Sequence, residues 1–178
     1  LADFRGTYTY PMSIPKPVIA AINGPVAGMA IPIAAACDLR FASETALFTT
    51  AFSQRGLVAE WGSAWLLTRL CGTANTLDIL FSGRKFDAVE AERIGLVNRI
   101  LPEADLDAHV ADVVARIAAG PPLALSMSKA LLNNGSQTSM SQALEAEGQA
   151  QAVNFGTQDT SEAAMAWIQK RQPEFEGR

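Results

Sequence analysis

The sequence predicts an α/β fold over its first hundred residues, followed by an all-helical region. Three observations predict it. Short apolar, partly β-branched runs punctuated by Gly, Pro and Asn fill the first half, as buried strands do. From Gly62 onward apolar residues recur at the i, i+3 and i+4 spacing of one helix face. No internal repeat or low-complexity linker divides the 178 residues, a length that suits about one domain.

Leu1 to Ser13 carries no helix or strand period and no initiator methionine, so the expectation is a chain that opens within a larger domain. Pro15-Lys16-Pro17 is a rigid extended lead-in, because each proline fixes its own φ and biases its predecessor toward extended geometry. Val18–Ile22 reads as a buried strand. Asn23-Gly24 turns the chain, and Gly28 permits positive φ or a close backbone approach. Met29–Cys37 reads as a helix. Pro32 is tolerated there only in the first turn, which puts the helix N-terminus at about Gly28 to Ala30. Asp38 ends it, Leu39–Ala42 resumes as a strand, and Ala46–Thr50 is a second short strand. Phe52–Trp61 has no clear period and reads as loop or short irregular helix.

Helical spacing begins at Gly62 with Trp65, Leu66, Arg69 and Leu70, stops at Gly72, and resumes over Thr73–Phe81. Asp87–Ile94 is a further helix, with Asp87 as N-cap and Glu90 three residues on, an acidic relative of the capping box. Gly95 closes it and Leu96–Ile100 reads as a strand. One apolar face then runs from Leu106 through Val110, Val113, Val114 and Ile117 to Gly120. Pro121-Pro122 opens a helix striped by Leu123, Met127, Ala130 and Leu131, ended by Asn133-Asn134-Gly135. Ser139–Phe155 is longer, and a last helix carries Ala163, Ala166, Trp167 and Lys170 before Pro173.

Composition narrows the function. Hydrophobic residues make up 49% and charged residues 18%, which suits a packed globule rather than a disordered chain. The net charge of -4, with no basic run, speaks against a nucleic-acid partner. The apolar run broken by Gly28 and Pro32 is too short to span a bilayer, and no signal peptide is visible. Cys37 and Cys71 lie in apolar surroundings without metal-ligand spacing, as small core residues of a reducing cytoplasm do. No cluster of His, Cys or acids suggests a metal.

The stretch from Ile14 to Gly62 carries the chemistry. A strand, a glycine turn, a helix opened by small residues, a strand and a loop build an anion site from backbone N–H groups and bring one acid, Glu60, toward it. Each residue also has an ordinary use. Glu60 is what a solvated helix N-terminus carries, Gly28 and Met29 fit a plain tight turn, and Phe52, Trp61 and Trp65 fit the core as well as an apolar pocket. Arg55 suits a solvent-facing position better than a phosphate or a pairing with Glu60. His109 reads as a surface residue. Ser53 and Ser63 have no nearby base, which disfavours a Ser–His nucleophile.

The blocks IPKPVIAAINGPVAG, CDLRFAS, RGLVAEWGSAWLLTRLCG and FDAVEAERIGLVNRI, in this order and at these separations, resemble the enoyl-CoA hydratase/isomerase (crotonase) family. The resemblance runs from about Ile14 to Ile100 and more loosely through the helical tail. It implies a crotonase-like ββα spiral followed by a C-terminal helical region. Residues 1–102 would be the C-terminal part of the spiral, its N-terminal part lying before Leu1, and residues 103–178 the helices used in trimer contacts. It implies an acyl-CoA substrate of fatty acid metabolism, no separate cofactor, and a homotrimer or dimer of trimers. One oxyanion donor falls on the Met29 N–H, flanked by Gly28 and Ala30, and the other before Leu1. The two glutamates of a family hydratase fall on Pro32 and Phe52, neither of which can transfer a proton. Glu60 falls where other members place an acid facing the substrate, which makes it the acid/base. Gly28, Ala30, Phe52 and Trp61 become substrate-binding positions. Burial beside Trp61 and Trp65 would raise the Glu60 pKa and a following helix N-terminus would lower it, and residue types leave both open.

Overall fold

Two parallel strand pairings frame the first unit of the chain. In the computed structural model, which describes residues 9–135 and 138–178, β1 (Ile19–Ile22) pairs with β3 (Leu39–Ser43), and β2 (Val26–Ala27) pairs with β4 (Leu47–Thr49). α1 (Ala30–Ala35) makes the crossover between the pairs. The start of β1 is tied to the start of β3 reciprocally: the Val18 N–H donates to Asp38 Oδ2 at 2.7 Å, and the Asp38 N–H donates to the Val18 carbonyl at 2.8 Å. After β4 a 3-10 turn at Ser53–Arg55 leads to α2 (Ser63–Ser82). β5 (Phe86–Asp87) pairs antiparallel with β4, α3 (Ala88–Arg93) follows, and β6 (Arg99–Leu101) completes the first sheet beside β3. Each sheet has three strands, in the orders β1-β3-β6 and β2-β4-β5.

The chain forms two compact units. Among the described residues the first holds residues 9–14 with Val18–Ala111. The second holds Pro15–Pro17 with Asp112–Arg178. α4 (Leu106–Ala118) runs across the boundary in sequence, and α5 (Pro122–Gly135), α6 (Met140–Phe155) and α7 (Gln158–Gln169) belong to the second unit.

The core of the first unit gathers Ile22, Val26, Ile31, Phe48, Leu67, Ile79, Phe86, Leu96 and Val97. Arg40 and Cys71 are among the polar side chains buried in this unit. Arg40 is 4% exposed, and burial lowers its pKa. Its guanidinium donates to the carbonyls of Leu96 at 2.7 Å and Cys37 at 2.5 Å, so a buried charge meets backbone dipoles. Burial pushes the Cys71 thiol up to about 11, with Arg40 pulling the other way. Its expected behaviour follows. Iodoacetamide at neutral pH should modify Cys71 only after denaturation, since the thiolate is the nucleophile. Stability should also fall as pH rises from 9.0 toward about 11, because the unfolded thiol ionises first. Peptide mapping of alkylated protein checks the first point and melts across this range the second.

Most sequence expectations are met, with informative departures. α2 is broken at Gly72, at φ 73° and ψ 163°, where the pattern stops. Asp87 caps α3, its Oδ1 accepting the Glu90 N–H at 2.8 Å. The Glu90 carboxylate does not return to Asp87. It takes two bonds from Arg84 at 2.7 Å each, which hold its pKa below the usual range. Asp87→Ala should therefore cost about 1 kcal/mol, read as a lowered Tm. The helix expected over Met29–Cys37 is shorter. The strand expected over Leu96–Ile100 shifts to Arg99–Leu101, leaving Leu96 and Val97 as core side chains. Tyr10–Ser13 forms a 3-10 helix where no period is visible, and α7 starts at Gln158, capped by Thr157. His109 is half-buried, edge-on to Phe41 with ring centroids 5.0 Å apart. Among the described residues no single helix is long and apolar enough to cross a membrane.

Candidate functional site

β2 is followed directly by Gly28, whose φ of +54° turns the chain into α1. A Cβ there would meet nothing within 4 Å, so the requirement for glycine is the left-handed backbone and not space. Met29 is the N-cap of α1 and Ala30 its first residue, both exposed. Neither amide donates to a described residue, as expected of groups that precede the first intrahelical bond. Pro32, buried in the first turn, has no N–H to lose.

The register of β2 and β4 decides what faces this turn. Val26 pairs with Phe48 and Ala27 with Thr49, and the Gly28 N–H donates to the Thr49 carbonyl at 3.0 Å. Parallel strands end on the same edge, so the head of α1 and the loop leaving β4 emerge side by side. That loop is pinned at its start. Thr50 Oγ1 donates to the Ile79 carbonyl at 2.7 Å, and Thr49 Oγ1 and Gln54 Nε2 both donate to the Gly83 carbonyl, at 2.9 and 2.8 Å. Phe52 is 5% exposed and its carbonyl accepts from the Arg55 and Leu57 amides, each at 3.0 Å.

The far end of the loop carries Glu60, half-buried, two residues before the N-cap of α2. Its carbonyl accepts the Ser63 N–H at 2.9 Å and Ser63 Oγ at 2.6 Å. Ala51 at φ +56° and Trp61 at φ +51° are held in left-handed backbone, unusual for side chains of these kinds and concentrated here on one loop. Strain of this kind points to a segment whose shape is over-determined by its surroundings.

Gly28, Met29, Ala30 and Phe52 thus gather along one sheet edge, while Trp61 and Glu60 lie at the α2 end of the loop that starts there. Arg55 is exposed, and no ion pair joins it to Glu60 among the described residues. Trp65 packs beside the Leu66 cluster and lies under the Arg69 guanidinium at 4.3 Å. No three His, Cys, Asp or Glu side chains among the described residues converge as metal ligands would. A groove of about 470 Å³ between α5 and α6, lined by Met127, Leu131, Leu144 and Gln151, contains none of these residues. Sequence reasoning missed Ala51, and it weighed Ser63 only as a nucleophile. The signal for Ser63 was present, because a small hydroxyl residue after Gly at a helix start is a turn-closing residue.

Residues 3–178 match the model of the enoyl-CoA hydratase/isomerase family. The chain is 36% identical over 160 residues to a crotonyl-CoA hydratase of Syntrophomonas wolfei, covering 90% of this chain and 62% of that one. It is 35% identical over 159 residues to a short-chain-enoyl-CoA hydratase of Clostridium acetobutylicum, covering 89% and 61%. The crystal structure of an enoyl-CoA hydratase from Bacillus anthracis superposes with a TM-score of 0.95 at 30% identity, over 99% of this chain and 69% of that one. The chain therefore spans about two-thirds of the length of these relatives, and its mixed α/β fold with a helical C-terminal region is theirs.

Proposed function

Because this chain belongs to the enoyl-CoA hydratase/isomerase family, we propose that it acts on an acyl-CoA thioester, stabilising the thioester enolate with backbone amides and moving a proton with one carboxylate. The Met29 N–H is the oxyanion donor and Glu60 the acid/base. Gly28, Ala30, Phe52 and Trp61 form the surrounding substrate contacts. Coenzyme A enters as part of the substrate, and the chemistry calls for no separate cofactor. The two unbonded amides at the head of α1, beside the loop that leads to Glu60, carry this reading.

Isomerisation fits a single acid best. Glu60 takes a proton from one carbon of the thioester, the negative charge moves to the thioester oxygen at Met29, and the proton returns at another carbon. An N–H so placed contributes on the order of 3 kcal/mol to the transition state. With Pro32 and Phe52 at the positions that the resemblance assigns to paired glutamates, ordinary hydration of crotonyl-CoA should be weak. Turnover across a panel of enoyl-CoA thioesters, with products identified by mass spectrometry, tests this. A crotonyl-CoA hydration rate well above the isomerisation rate would overturn it.

A second reading, a catalytically weak or inactive acyl-CoA-binding member of the fold, is favoured by those same two residues. Tight acyl-CoA binding in calorimetry without product would support it. Neither Cys37 nor Cys71 forms a disulfide, which supports a cytoplasmic setting. The proposed assembly is a homotrimer or dimer of trimers. It is supported by α6, which has no buried residue in the single chain, and by α7, which leaves Trp167 85% and Ile168 72% exposed.

A further inference from the structure

We infer that Ser63 is a positioning residue, holding Glu60 in place for proton transfer by gripping the Glu60 carbonyl; the inference rests on the acid/base role proposed for Glu60. Residues 60–63 form a four-residue turn closed by the Ser63 N–H on the Glu60 carbonyl at 2.9 Å. Both central residues are left-handed, Trp61 at φ +51° and Gly62 at φ +79° and ψ 6°, which is the mirror image of the common turn. Gly62 adopts this without steric cost. Trp61 does not, because an L side chain crowds the following carbonyl in that region.

A turn with an unfavourable central residue opens unless something else closes it. Ser63 supplies that closure. Its Oγ donates to the same Glu60 carbonyl at 2.6 Å, giving one oxygen two donors from one residue. Ser63 is 0% exposed, so water does not compete for either bond. It is also the first residue of α2, and the Leu66 N–H bonds the Gly62 carbonyl at 2.8 Å. Leu66 and Leu67 are buried at 4% and 0% exposure, so the turn is joined to an element that cannot drift. The Glu60 backbone is thereby fixed to a helix end, and its carboxylate moves only by its own side-chain torsions. Proton transfer is sensitive to such placement, since displacement by about 1 Å can cost up to about a hundredfold in rate.

The test is a double-mutant cycle in the intact protein, on the acyl-CoA thioester that it turns over best. Ser63→Ala should lower kcat by about tenfold to a hundredfold while KM stays within about twofold. In the Glu60→Gln background the same change should alter kcat by less than about twofold, because the group being positioned is gone. An equal kcat penalty in both backgrounds, or none in either, would overturn the positioning role while leaving Glu60 as the acid/base. Full kcat in Glu60→Gln alone would instead overturn the acid/base reading, and this role with it.

Discussion

Glu60→Gln is expected to lower kcat on the best acyl-CoA substrate by about 10²–10⁴-fold, with KM changed far less. Glutamine keeps the size of the side chain and an acceptor oxygen, so binding and the loop should survive. It removes the proton-transfer function, and Pro32 and Phe52, at the positions that the resemblance assigns to paired glutamates, supply no replacement. Residual activity should come from the proposed donor, the Met29 amide, which no side-chain change deletes. Met29→Ala should accordingly change kcat only a few-fold, because the donor is backbone and the replacement keeps its N–H. Stopped-flow or product-based assays on both variants separate the two contributions.

Phe48→Ala should destabilise the fold by about 3–5 kcal/mol, seen as a lower denaturant midpoint with a similar slope. Phe48 is 1% exposed, opposite Val26 in the parallel register, and stacked on Phe86 with centroids 5.5 Å apart. Both partners belong to two-residue strands, which have few ladder bonds of their own. The ring therefore holds three short strands together in place of an extended ladder. The variant should also lose activity at temperatures below its melt, since the Gly28 turn hangs on the β2–β4 pairing. A midpoint unchanged within error would refute this account of the second sheet.

Helices and longer strands were legible in the residues because period and punctuation are local. The break at Gly72 and the Asp87 cap each depend on residues within four positions, and each is found. β2 and β5 escaped because two residues have no period. Their identity is set by partners about twenty and forty residues away. Lys129 escaped for the same reason. A lysine on a helix reads as solvent-facing, yet it is 7% exposed and its Nζ donates to the Lys16 carbonyl at 3.1 Å, 113 positions earlier. At the candidate site, Gly28 announced its left-handed turn. Trp61 hid its turn, because tryptophan is not a residue that signals left-handed backbone.

The lysine contact bears on how such a chain could be divided or recombined. The second unit is discontinuous in sequence, since it includes Pro15–Pro17 as well as Asp112–Arg178. A single cut before Asp112 would leave that short segment with the wrong fragment and take from Lys129 the carbonyl of Lys16. The helical region is thus not a detachable cassette. Exchanges between relatives that keep both pieces from one parent should preserve its packing, whereas single-crossover chimeras joined near residue 111 should not.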